Sequence, residues 1–476
     1  MSNLGYLELL RLTAPEIVVA LTALLVLVLD LSFLRRAPLA RRFGAMTITA
    51  CTGCLIALAV LLRFPANGSL PAGMLVVTPL THLLQVALLV LAILVLLLVS
   101  AARFTAHVGE YCALQLFATT AMMLLVSSQN LLILFITIEF LSLTLYILTA
   151  FDKRSQASAE AGLTYFLFGG MSAGILLFGM SLLYGLSGSL ALAQIAVAAG
   201  KAPNDPLLGI AIVMLLAGFG FKIAAAPFHM WAPEVYQGAP TSSAALIASS
   251  SKVASFFALF LVFYLGLPGA GWTTVIALLA VVSMVWGNLA AIAQSSMRRL
   301  LAYSAIGHAG YMLIALVVHS QQSLAALVYY VITYALATIG AFAVLAALEG
   351  TDQIADFAGL GKRAPDVAFC LLIFLLSLAG VPPLAGFFGK FYVFVAALAQ
   401  PGLLWLVLLA LAMSVVSFYY YLKVLKQAYV TEPKAEAAAI HVPAAIRLAL
   451  WITAALVVLL GCLPDLLLNR ITTVLH

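Results

Sequence analysis

Charge is what this sequence has least of. Only 8% of its 476 residues are Asp, Glu, Lys or Arg, against roughly 25% in soluble domains. With 65% of the chain apolar, a soluble core cannot absorb the sequence, and a soluble globular protein is excluded. Alternating segments of about ten residues, the mark of a membrane β-barrel, are lacking as well. The apolar runs are instead near twenty residues, enough to span ~30 Å of hydrocarbon as helices. The first residues have neither a basic n-region nor a small-residue cleavage site, so the first apolar segment is expected to stay as a span. Long polar loops are scarce: 187–206, 350–366 and 428–443 stand out, and none could hold an extramembrane catalytic domain. Residues 190–199 within the first are expected to form a small interfacial helix.

Signatures of nucleotide and redox chemistry are missing too. Gly359-Leu-Gly-Lys362 lacks the upstream glycine and trailing Ser/Thr of a phosphate loop. There is no dinucleotide fingerprint, no Cys-x-x-Cys-His and no metal-spaced histidine cluster. The pair Cys51-x-x-Cys54 lies inside an apolar span, where packing is expected rather than thiol chemistry. The chain alone is therefore expected to bind no NADH, flavin, iron–sulfur cluster or metal. A net charge of +6 does not imply a nucleic-acid partner, because the basic residues gather at span ends.

What is present reads as an all-α polytopic membrane protein with about fourteen transmembrane helices, near 14–33, 44–62, 78–101, 111–127, 131–150, 161–185, 207–229, 241–265, 272–293, 300–318, 323–347, 367–399, 403–427 and 445–463. Arg35, Arg36, Arg41, Arg42, Arg103, Lys153, Arg154, Arg298, Arg299, Lys362, Arg363, Lys423, Lys426, Lys434 and Arg447 fall on one side of this arrangement. Arg11, Arg63, Lys201 and Arg470 fall on the other. That asymmetry makes the first side cytoplasmic and both termini periplasmic. Helices seven and twelve read as broken, at Pro227 and at Pro382-Pro383, since proline removes a backbone donor and clashes with the preceding turn. Broken helices at matching places point to inverted repeats. Spans 4–8 and 9–13 form the candidate five-helix units, dividing the chain into 1–110, 111–265, 266–430 and 431–476.

Four charges sit inside apolar segments: Glu139, Lys222, Lys252 and Lys390. Each costs about 2.5–3.5 kcal/mol at membrane depth on insertion scales, so pairing, hydration or use must offset it. Glu139 lies about 12 Å from one end of its span. Lys222 closes Gly218-Phe-Gly-Phe-Lys222, where glycines permit close approach and water. An amine out of water gives up its proton more easily, and a nearby carboxylate restores it, so moving that carboxylate loads or unloads the lysine. Lys252 follows Ser249-Ser-Ser251 in mid-helix, with hydroxyls suited to a relay. Lys390 follows Pro383 by two helical turns. The plainer alternatives are a static ion pair that fixes packing for Glu139, snorkelling to the interface for Lys222 and a lysine held neutral by burial for Lys252. His308, on a face with Tyr303, Ser304 and Tyr311, is a candidate relay group, and His229 is a weaker one. Asp30, near the end of span one, is expected to be solvated.

Three motifs carry a family resemblance: Ala226-Pro-Phe-His-Met-Trp-Ala-Pro-Glu-Val-Tyr-Gln-Gly-Ala-Pro-Thr241, Arg299-Leu-Leu-Ala-Tyr-Ser-Ala-Ile-Gly-His-Ala-Gly-Tyr311 and Gly380-Val-Pro-Pro-Leu-Ala-Gly-Phe-Phe-Gly-Lys-Phe-Tyr392. In order and across nearly the whole chain, the sequence resembles the N subunits of bacterial respiratory complex I, the proton-pumping NADH–quinone oxidoreductase. The resemblance implies a helix-five glutamate (Glu139) paired with a helix-seven lysine (Lys222), a connecting lysine (Lys252), a histidine (His308) and an exit lysine (Lys390). It implies a translocase subunit without redox chemistry of its own, in the bacterial cytoplasmic membrane. NADH, FMN, iron–sulfur clusters and quinone are expected in other subunits, with the antiporter-like M and the small K and J subunits as membrane-arm neighbours. Thr164 stands where the family often has a helix-six lysine, so that role does not carry over. A subunit of a Mrp-type cation/proton antiporter or of a membrane-bound hydrogenase is the alternative. A non-pumping scaffold is the third reading.

Overall fold

The structure, a computed structural model, describes residues 3–475 apart from 66, 101, 103, 268, 270, 349–351, 434–439 and 441. Arg103 and Lys434 of the orientation argument lie outside the described residues. Among those described, thirteen helices are long and apolar enough to cross a membrane. They are α1 (Ala14–Phe33), α2 (Leu39–Arg63), α3 (Pro79–Val99), α4 (Val108–Val126), α5 (Leu131–Thr149), α6 (Gln156–Ser187), α7 (Pro206–Ile223), α8 (Thr241–Gly266), α9 (Thr273–Ile292), α10 (Met297–Val318), α11 (Gln321–Ala347), α14 (Leu404–Tyr429) and α15 (Ala444–Cys462). The expected twelfth span is two shorter apolar helices, α12 (Pro365–Ala379) and α13 (Ala385–Leu398). Some of these helices begin at an N-cap oxygen: Asn130 accepts from the Leu132 N–H at 3.0 Å, and Ser296 from the Arg299 N–H at 3.2 Å. The short helix expected in the 187–206 loop is present as Leu192–Lys201.

Proline places two of the breaks. A proline ring collides with the carbonyl four residues earlier. Pro227 therefore stops α7 at Ile223, and Pro383 stops α12 at Ala379. The α7 interruption thus starts ahead of its proline, with Ala224 in the left-handed region at φ 58. The α12 interruption is capped by Gly380 at φ 92, a conformation glycine adopts without steric cost. A third break was not expected. Lys252 is not in the middle of a continuous helix: α8 is interrupted at Ser249 (φ −119, ψ −85). Ser249 and Ser251 hydroxyls donate back to the Ala245 and Ile247 carbonyls, a bonding pattern that bends helices.

Two compact units divide the chain. One comprises Met1–Phe219 with Val253–Trp272. In it α1 packs on α2 and α4, and α5 on α4 and α6. The other comprises Gly220–Lys252 and Thr273–Val474. There α9 packs on α10 and α14, and α11 packs on α12, α13 and α15. The α9–α10 seam depends on glycine: a Cβ on Gly287 would collide with the Gly307 and Tyr303 backbone, and one on Gly310 would stand 2.7 Å from the Ala280 carbonyl.

The first unit corrects the expectation for Asp30. It is fully buried, not solvated. Its carboxylate takes two bonds from Arg42, Nε to Oδ1 at 2.8 Å and Nη2 to Oδ2 at 2.6 Å. The Gly109 N–H adds a third at 2.9 Å. Glu16 was not anticipated at all. It is buried in α1 and accepts from Gln85 Nε2 at 2.5 Å.

Candidate functional site

In the second unit the interrupted helices set three basic groups along one helix, α10. Lys252 comes from the α8 break and is 2% exposed. Its Nζ donates to the Ala305 carbonyl at 3.0 Å and stands 5.9 Å from the Tyr334 ring centre. His308 is one step further along α10 and 3% exposed. Its Nδ1 lies 2.8 Å from the Tyr330 hydroxyl and its Nε2 3.4 Å from the Tyr421 hydroxyl. The Tyr421 hydroxyl also makes a very short hydrogen bond with Ser304. Lys390 comes next, 4% exposed, its Nζ 5.0 Å above the Tyr311 ring. Residues 305, 308 and 311 rise along the helix by about 4.5 Å per step.

The interruption of α12 supplies what holds Lys390. Once Pro383 ends the helix, the Ala379 carbonyl is no longer committed to a later N–H of α12. It accepts from Lys390 Nζ at 2.9 Å, and Ser414 Oγ accepts a second bond at 2.9 Å. Gly380 leaves room for the lysine stem, since a Cβ there would stand 3.2 Å from Lys390 Cδ. Lys390 therefore faces a carbonyl, a hydroxyl and a ring, and Lys252 a carbonyl and a ring. These can solvate an ammonium partway without locking the proton on it as a carboxylate would.

The remaining expected residues are placed as follows. Lys222 is buried at the last turn of α7. Beyond it the Ala225 N–H returns to the Gly220 carbonyl, the Ala226 N–H is received by Ser283 Oγ at 2.9 Å, and Trp231 Nε1 donates to the Phe221 carbonyl at 2.9 Å. His229 is buried in the same turn, with its ring 6.1 Å from the exposed Trp286. Glu139 differs from the three lysines. It is only half-buried, on a side of α5 shared with the exposed Ile136, Phe140 and Leu143. The sequence put Ser304 on the His308 face but did not show Tyr330 or Tyr421 as the partners of the imidazole. The run Tyr419-Tyr420-Tyr421 in an apolar helix was the available signal.

Two of the sequence motifs are joined here. Arg298 Nη1 donates to the Ala239 carbonyl at 2.8 Å and Nη2 to Thr241 Oγ1 at 2.5 Å. Asp352 accepts from Ser296 Oγ, from the Arg298 N–H at 3.2 Å and from Gln237 Nε2 at 3.1 Å. The Tyr-Gln-Gly-Ala-Pro-Thr stretch is thereby fastened to the start of α10. Among the described residues no three His, Cys, Asp or Glu side chains are grouped to hold a metal ion.

These features define a class: a multi-pass helical membrane protein whose interior strings titratable side chains between interrupted helices. The family described as NADH:quinone oxidoreductase/Mrp antiporter, TM, matches residues 128–417. The chain is 55% identical to NADH-quinone oxidoreductase subunit N 2 of Acidobacterium capsulatum, over 98% of this chain and 99% of that protein. It is 41% identical to NADH-quinone oxidoreductase subunit N of Desulforamulus reducens, over 87% of this chain and 88% of that one. The chain belongs to the subunit N family of NADH–quinone oxidoreductase. Respiratory complex I of Thermus thermophilus with bound aureothin contains a similar chain, at TM-score 0.80 and 35% identity, covering 96% of this chain and 98% of that one. A chain of the Mrp complex from Dietzia sp. shares the fold, at TM-score 0.85 and 20% identity, covering 98% and 97%.

Proposed function

We propose that this chain is a proton-translocating membrane-arm subunit of an NADH–quinone oxidoreductase, doing no redox chemistry itself. The observation that carries the reading is the ladder on α10: Lys252 at Ala305, His308, then Lys390 above Tyr311. Each rung can hold or release a proton, and none of the three is tied to a carboxylate by a contact described above. Lys222, at the α7 break, is the loading site, and Glu139 sets when it loads. A proton then passes through Lys252 and His308 to Lys390 and leaves on the other side. His229 shapes the turn after α7. The driving change reaches this chain from subunits that hold NADH, FMN, iron–sulfur clusters and quinone. Neighbouring membrane-arm subunits, the antiporter-like M subunit and the small K and J subunits, are its partners. The apolar rim around Glu139 on α5 is one surface suited to such contact. The breaks in helices seven and twelve support two related five-helix units, and the charge asymmetry of the loops supports a bacterial cytoplasmic-membrane location with both termini periplasmic.

The test is Lys222→Ala in the assembled complex. NADH-driven proton uptake into inverted vesicles should fall with coupled NADH oxidation, while assembly survives. Full pumping in a well-assembled variant refutes the assignment. The likeness to the Mrp-complex chain favours a second reading, cation/proton exchange without NADH. Sodium-dependent pH changes in vesicles lacking NADH would select it.

A further inference from the structure

An imidazole can take or give a proton only at its two ring nitrogens. In His308 both face tyrosine hydroxyls, Nδ1 that of Tyr330 and Nε2 that of Tyr421. A proton handed directly to or from His308 in this arrangement therefore goes by one of those hydroxyls. The two joints differ. At 2.8 Å the Tyr330 contact is within transfer distance, about 2.6–3.2 Å. At 3.4 Å the Tyr421 contact is open, and the Tyr421 hydroxyl is held by Ser304 instead.

We infer that Tyr421 is a relay residue of this path. Its hydroxyl carries protons from Ser304 to His308 Nε2, and the joint to His308 closes only in part of the cycle. This rests on the pumping role proposed above. Tyr421 is fully buried and Ser304 is 2% exposed, so neither hydroxyl is held by bulk water. The Tyr421 ring is fixed by Tyr420, 4.5 Å away between centres, whose own hydroxyl donates to Asn288 Oδ1 at 3.1 Å. The position of the pair gives the branch a direction. Ser304 lies one turn from His308 toward the Met297 end of α10. Tyr421 lies two residues before Lys423, whose amine reaches the Ile292 and Gln294 carbonyls at 3.4 and 3.3 Å. The hydroxyl pair thus approaches His308 from the end that carries Arg298, Arg299 and Lys423. It is a supply distinct from Lys252.

The step exchanges only O–H and N–H bonds. In neutral His308, with Nδ1–H donating to Tyr330, Nε2 is the acceptor. Tyr421 turns from Ser304 and gives its hydroxyl proton to Nε2, while the Ser304 proton restores Tyr421. The Nδ1 proton passes to the Tyr330 oxygen, which releases its own. Ser304 is reprotonated by water from the Lys423 end, so one proton enters and one leaves; His308 is left as the Nε2–H tautomer, and a turn of the ring restores the starting tautomer before the next proton.

The experiment uses inverted membrane vesicles containing the assembled complex, scored for NADH-driven acidification and NADH oxidation in water and in deuterium oxide. Tyr421→Phe keeps the ring and removes the hydroxyl. Coupled turnover should fall on the order of a hundredfold, with a larger solvent isotope effect, a readout that packing damage alone would not move. Ser304→Ala should show a partial loss that Ser304→Thr restores, and Tyr419→Phe, an exposed neighbour, should behave as wild type. Wild-type turnover and isotope effect in Tyr421→Phe, alongside loss in Lys252→Ala and Lys390→Ala, overturns the relay and leaves the pumping role standing. Normal pumping in all three overturns the pumping role itself. If Tyr421→Phe does not assemble, equal rates for Ser304→Ala and Ser304→Thr overturn the relay.

Discussion

Removing either partner of the Asp30–Arg42 pair deletes the same two bonds, yet the two losses should be unequal. Asp30 has no exposed surface, whereas the Arg42 side chain retains 12%. Arg42→Met leaves a buried carboxylate with only the Gly109 N–H described above. Breaking a buried pair from one side costs about 3–5 kcal/mol. Water reaching the Arg42 side puts this case at the low end, about 3 kcal/mol, or on the order of a hundredfold in the folded fraction. Asp30→Asn keeps an oxygen for the Gly109 N–H and lets the guanidinium turn to water, so it should cost about 1 kcal/mol. The double variant should resemble Asp30→Asn alone, because the stranded charge is gone. The assay is the monomeric fraction of the tagged full chain in mild detergent after graded heating, read by fluorescence-detected size exclusion. Equal losses in the two single variants, or a double variant worse than Arg42→Met, would refute the argument that the stranded carboxylate dominates.

Gly380→Ala should lower coupled turnover without blocking assembly, because it adds about 1–2 kcal/mol of backbone strain and pushes the Lys390 stem off its carbonyl. Gly188→Ala carries similar strain at φ 66 with open space around it, and should leave turnover unchanged. Asp352→Ala should destabilise the full chain by about 1–3 kcal/mol through the donors it strands, with Asp352→Asn losing less in the same heating assay.

The membrane helices were legible because length and hydropathy alone decide them, and Pro382-Pro383 announced its own break. Pro227 marked the other, and its clash with the carbonyl four residues earlier ends α7 at Ile223, short of the expected 229. The α8 interruption was hidden because serines are common in helices and bend them only when their hydroxyls turn back on the backbone. Asp30 looked like an end-of-span residue. Its burial depends on Arg42 and on Gly109, 79 residues away in the chain. The lysines and His308 stood out because charge is rare here. Tyr330 and Tyr421 did not, because an aromatic ring in an apolar helix looks the same whether its hydroxyl is used or idle. Their partners lie 22 and 113 residues away, beyond any local periodicity.

The glycine seam between α9 and α10 has a bearing on timing. Every rung of the ladder is indexed to one rod, so a twist of α10 about its axis would throw Lys252, His308 and Lys390 out of step together. With backbone pressed on backbone at Gly287, Gly307 and Gly310, that rod is keyed against its neighbour and cannot turn alone. In the path proposed above, the moving parts are then the light ones: hydroxyl hydrogens and lysine tips. A substitution as small as Gly287→Ala, which presses on the Gly307 backbone next to His308, should desynchronise the machine rather than merely loosen it.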